Sequence, residues 1–112
     1  MKKVLCITML FFTVTVSLKA QTVSAAAVAE RIANKMKDSL NLNNAQRNQI
    51  FAVNVLINNR KSDVRQQYTN TDSIRYHIQR IENRRDSMYH NILAEPKYLL
   101  YKQKKRFLVT AN

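Results

Sequence analysis

From Val28 onward, apolar residues return every three or four positions in four successive runs, with short polar interruptions between them. In the first run Val28, Ile32, Met36 and Leu40 fall four apart, while Glu30, Arg31, Lys35, Lys37 and Asp38 take the other faces. Such spacing lines one side of an α-helix and predicts an amphipathic helix of about four turns. Thr22 or Ser24 would open it, the alanines after Ser24 favour it, and Asp38, Ser39 and Asn41 form its exit.

The second run begins at Asn43, whose side-chain oxygen can accept an otherwise unpaired N–H of the first turn. Gln46, three residues on, can reach back and close a capping box. Ile50, Val53, Ile57, Val64 and Tyr68 form its stripe, interrupted by Lys61. Phe51, Val55 and Leu56 widen that stripe, so the segment is expected to have contacts on two sides. An exit at Asn70–Thr71 predicts a helix of roughly 40 Å.

Asn70, Thr71, Asp72 and Ser73 all favour turns and caps. In the third run Ile74, Ile78, Ile81, Arg85, Met88 and Ile92 alternate between steps of four and three, a heptad seam with a cation inside it. Either the Arg85 stem covers the seam while its guanidinium leaves sideways, or this face is open to a partner. The fourth run starts near Pro96, a residue tolerated in a first turn. It pairs Leu100 with Phe107 and Tyr101 with Leu108, and the cationic block from Lys102 to Arg106 suits the helix C-terminus.

Composition fits this pattern. The 112 residues include no glycine and one proline, which disfavours tight β-hairpins and shifts helix termination onto asparagine and serine. The predicted fold is all-α and a single domain: a long helical hairpin flanked by shorter helices, about four in all. Four helices in so short a chain bury little core, and an antiparallel homodimer would complete it.

The N-terminus reads differently. Lys2 and Lys3 precede an apolar run from Val4 to Val16, followed by Ser17, Leu18, Lys19 and Ala20. This predicts an export signal at 1–20, cleaved after Ala20, and a helical domain at 21–112. Cleavage removes Cys6, the only cysteine, and with it disulfide and thiol chemistry. It also removes three of the 19 basic residues, leaving 16 against 7 acidic ones, a charge of 16 − 7 = +9. An exported chain of this charge is expected to meet anionic surfaces or polypeptides, and not nucleic acid.

Catalytic groups are sparse. His77 and His90 lie 13 residues apart and cannot form a local metal pair. Asp86 and His90, four apart, either share an ion or pair on the surface. No serine has a nucleophile context, and a glycine-free chain has no phosphate-binding loop. The chain therefore reads as a non-enzyme without cofactor or metal. Its candidate binding residues are Arg60, Lys61, Arg65 and Tyr68 on the second helix and Arg75, Tyr76, Arg80 and Arg84 on the third. Antiparallel packing would bring these together as a basic, aromatic surface for polypeptides, with Arg85 and Tyr89 nearby. The alternative is a solvated face that keeps the protein soluble.

Leu42-Asn43-Asn44-Ala45-Gln46 resembles the LTxxQ motif of the Spy/CpxP-type periplasmic family, with Asn43 in the capping place of threonine. Leu93-Ala94-Glu95-Pro96-Lys97 is similar to a second copy, although Ala94 cannot cap and Lys97 replaces the glutamine. On this resemblance Leu42, Asn43, Gln46, Leu93 and Pro96 are structural. It implies an α-helical hairpin that dimerises as an antiparallel cradle. It also implies a periplasmic, stress-related, ATP-independent chaperone that binds unfolded clients on a basic concave face. The alternative within the family is a regulator with one dedicated envelope partner, such as a sensor domain. A third expectation is peripheral contact with a membrane surface through Lys102 to Arg106.

Overall fold

Asparagine, in place of glycine, turns this chain. In a computed structural model that describes residues 26–110, α1 (26–40) ends in the one described residue with positive φ, Asn41 at 54°. The Leu42 N–H then bonds the Lys37 carbonyl at 3.0 Å, the six-to-one bond of a Schellman cap. Asparagine is among the few side chains that enter this left-handed region at modest cost. Leu42 is thereby delivered to the core beside Met36. The predicted export signal, its cleavage site and the Thr22 or Ser24 cap lie outside the described residues.

α2 (Asn44–Gln67) starts with the expected capping box: Gln46 N–H donates to Asn43 Oδ1 at 2.8 Å, and Asn43 N–H donates to Gln46 Oε1 at 3.2 Å. It ends at Gln67, three to four residues before the predicted exit. Tyr68 takes an extended conformation that lays its ring on the next helix, and Asn70 is committed as a cap. α3 (Thr71–Ile92) is capped by Asn70, whose side chain accepts from Asp72 N–H and Ser73 N–H. α4 (Glu95–Leu108) has Pro96 in its first turn and, as expected from Ala94, no side-chain cap. Among the described residues the chain is all-α, with four helices and no strand.

The α2–α3 connection spans only 68–70, so the two helices run antiparallel. Cross-pairs fix their register: Asn54 with Tyr89, Lys61 with Glu82, and Tyr68 with His77. Asn54, Lys61 and the cap residue Tyr68 are seven apart, and Ile50, Ile57 and Val64 interleave with them on the same seam. Ile50 and Ile57 are fully buried, each stabilising the hairpin by about 1.5–3 kcal/mol.

α1 and α4 close around the inner half of this hairpin. Ile32, Met36, Leu40, Leu42, Ile50, Tyr89, Leu93, Tyr101 and Leu108 form one buried cluster, with Ala33 allowing close approach. Arg47 clamps α1 to α2 through Glu30 at 2.8 Å and Asn34 at 2.9 Å. Among the described residues the outer half, beyond Ile57, is two helices thick.

Three expectations need correction. Phe107 does not share the Leu100 stripe; it is 61 % exposed, with the Lys35 ammonium 5.0 Å from its ring centroid, because Leu108 takes the inward position. The Arg85 guanidinium does not leave the seam: the side chain is 2 % exposed and donates to both Glu82 oxygens at 2.9 and 3.1 Å. Asp86 and His90 do not meet; Asp86 faces Tyr101, Lys102 and Lys105, and His90 stands 2.8 Å from Glu95 and stacks on Tyr98.

Candidate functional site

Residues His77, Arg80, Ile81 and Arg84 stand at i, i+3, i+4 and i+7 and therefore share one face of α3. Opposite them, Arg60 and Val64 stand one turn apart on α2. Together the six line an open groove of about 260 Å³ along the outer hairpin. Val64 and Ile81 are half-buried, whereas Arg60, Arg80 and Arg84 are exposed at the sides.

No carboxylate lines this groove. Among the described residues Arg60, Arg65, Arg75, Arg80 and Arg84 form no ion pair, while Glu30, Glu82, Asp86 and Glu95 are engaged elsewhere. One wall is braced by ring contacts. Tyr68 stacks on His77 with centroids 4.4 Å apart, Tyr76 meets His77 edge-on at 5.2 Å, and the Arg80 guanidinium lies 5.8 Å above the Tyr76 ring. These contacts hold His77 and Arg80 in place while leaving Tyr76 60 % exposed.

The structure divides the eight residues expected to bind. Arg60, Arg80 and Arg84 converge on the groove, and Tyr68 and Tyr76 support it through His77 and Arg80. Lys61 is diverted: it bonds Glu82 inside the hairpin seam, sharing that carboxylate with Arg85. Arg65 and Arg75 are exposed but do not line the groove. His77, Val64 and Ile81 escaped the reading by charge, although the i, i+3, i+4, i+7 spacing with Arg84 carried their signal. Leu42 and Leu93 are buried, and Asn43, Gln46 and Pro96 act at helix starts, so the motif residues have structural places. Lys97, in the place of the second motif's glutamine, donates to the Asn41 carbonyl at 2.7 Å and ties the two motif regions together.

Two other features define what the surface offers. Two cations of the α4 block are paired, since Lys102 and Lys105 lie 3.3 and 2.9 Å from Asp86; Lys102, Lys104 and Arg106 are exposed and Lys105 is half-buried. Among the described residues no three His, Cys, Asp or Glu side chains come together, and no helix is long and apolar enough to cross a membrane. Comparison with protein-family models, with curated proteins and with solved structures finds no match. The resemblance to the Spy/CpxP type therefore stands on the motif residues alone.

Proposed function

We propose that this protein is a non-enzymatic, chaperone-like binding protein of the periplasm. It would hold unfolded or aggregation-prone polypeptides on the outer α2–α3 hairpin without ATP. The observation that carries this reading is the set of arginines without carboxylate partners, placed beside exposed Tyr76 and a half-buried aliphatic floor. Long-range attraction draws an acidic or amphipathic segment in, and short aromatic and aliphatic contacts retain it weakly. A surface of this kind tolerates many sequences, because neither contribution demands one fixed hydrogen-bond pattern.

The test is the aggregation of a chemically denatured client diluted into buffer without ATP, at low and at high salt. Suppression that weakens with salt is expected. No suppression at either salt would remove the reading. A second reading, one dedicated envelope partner, draws on the groove, a defined concavity and not only a charged face. Capture from envelope extract separates the two: one stoichiometric partner favours a regulator, and many substoichiometric ones favour a chaperone.

A further inference from the structure

We infer that the groove between α2 and α3 is a binding site for a phosphoryl group carried as a monoester or pyrophosphate. Arg60 from one helix and Arg80 and Arg84 from the other surround one concavity of about 260 Å³, and no carboxylate lines it. Three guanidiniums held together repel one another, and an anion placed between them relieves this. A carboxylate can be satisfied by a single guanidinium through two parallel bonds, so three exceed what it can use. A phosphomonoester presents three acceptor oxygens and up to about two negative charges at neutral pH, which matches the donors available.

The remaining groups fit the same ligand. Each guanidinium presents N–H donors in a planar fork suited to phosphate. His77 adds a ring nitrogen, with its plane fixed by Tyr68 at 4.4 Å and Tyr76 at 5.2 Å. Arg80 is steadied over Tyr76, so part of the ordering cost is met before binding. Val64 and Ile81 give the floor an apolar surface on which the carrier of the phosphoryl group can rest. The donors sit on two helices whose register is fixed by the Lys61–Glu82 and Asn54–Tyr89 pairs, not on a loop.

This site does not depend on the polypeptide-binding reading: a chain that suppresses no aggregation can still bind pyrophosphate, and the reverse also holds. The experiment is a titration of the full-length chain with pyrophosphate in chloride buffer, followed by calorimetry and by the His77 ring signals in NMR. One saturable site per chain is expected. R80Q and R84Q, both at exposed positions and checked for unchanged helix content, should each weaken it by about tenfold or more. K104Q combined with R106Q removes two charges away from the groove and should change it by less than about threefold.

Binding that does not saturate, or that falls equally in the distant double variant, would overturn the site. Methyl phosphate and vesicles containing phosphatidic acid then distinguish the source. Vesicle capture displaced by pyrophosphate assigns a lipid headgroup, and binding of methyl phosphate without vesicle capture assigns a soluble ester. Absence of both, with pyrophosphate still held at one site, assigns a soluble diphosphate; absence of saturable pyrophosphate binding overturns the inference.

Discussion

Asn54 is an amide in the core, and both of its polar atoms are used. Its Nδ2 donates to the Ala29 carbonyl at 3.3 Å, and its Oδ1 accepts from the Tyr89 hydroxyl. One side chain thus joins α1, α2 and α3. Tyr89→Phe would leave the buried oxygen without its donor, and a loss of about 1–3 kcal/mol is expected in urea unfolding. Asn54 was hidden in the sequence because a polar residue at a seam position breaks the apolar count, and Val53 next to it completes a plausible stripe. Asn43 was legible for the opposite reason: capping is decided by residues within one turn of each other. Asn43→Ala should cost about 1 kcal/mol in the same measurement and leave polypeptide binding unchanged. Glu82→Gln is a harsher change, since Arg85 is buried and its Nε has no hydrogen-bond partner among the described residues. Weakening its only carboxylate should cost several kcal/mol, up to about 3–5 if the pair is fully broken.

At the scale of elements, Asp86 of α3 gathers three side chains of α4, beside the Tyr89–Tyr101 and His90–Tyr98 ring contacts. Tyr101 donates to Asp86 Oδ1 at 2.7 Å, and Lys105 reaches Oδ2 at 2.9 Å. Burial alone would raise the Asp86 carboxyl, but hydrogen bonds from Lys105 and Tyr101 and the charges of Lys105 and Lys102 hold it below its ordinary value. A depressed folded value gives stability that is present above the unfolded value of about 4 and is lost as pH falls through the folded one. The Tyr101 phenol is shifted the other way, by burial and then by Asp86, and Tyr89 is raised mainly by burial. Their contribution is present below the unfolded value of about 10 and is lost as pH rises beyond it. Exchange of the α4 amides, taken relative to the intrinsic rate at each pH, should therefore accelerate below about pH 4 and above about pH 10, with Asp86→Asn removing most of the acid limb. Equal acceleration throughout the molecule would contradict a local latch. The existence and order of the helices could be read from periodicity and caps. Which face of α4 turns inward could not, because both the Leu100–Phe107 and Tyr101–Leu108 stripes have helical spacing and only tertiary contacts, Tyr101 with Asp86 and Tyr89 among them, select between them.

Across the whole molecule, the buried core gathers at one end and the groove arginines Arg60, Arg80 and Arg84 lie at the other. Among the described residues the inner end has four helices around a shared core, while the outer end has two helices and a basic groove. Net charge was visible from composition, but its distribution was not, since that depends on which cations the hairpin register assigns to Glu82 and the docking of α4 assigns to Asp86. For so thin a core we propose an antiparallel dimer. Light scattering should give twice the chain mass at micromolar concentration. A monomer mass over a wide concentration range would count against it.

The use of asparagine in place of glycine sets how this protein ages. Deamidation converts the side-chain amide to a carboxylate, and asparagine is among the thermolabile residues. Where the product at Asn43 or Asn70 is aspartate, it still caps and gains from the positive end of the helix dipole. At Asn41 the product also tolerates the left-handed conformation. Only at Asn54, buried against the Ala29 carbonyl, would the new charge enter the core. An old population should thus drift toward lower positive charge, one unit per event, well before it loses its fold. Any activity that depends on attracting anions would fade while the helices stay intact.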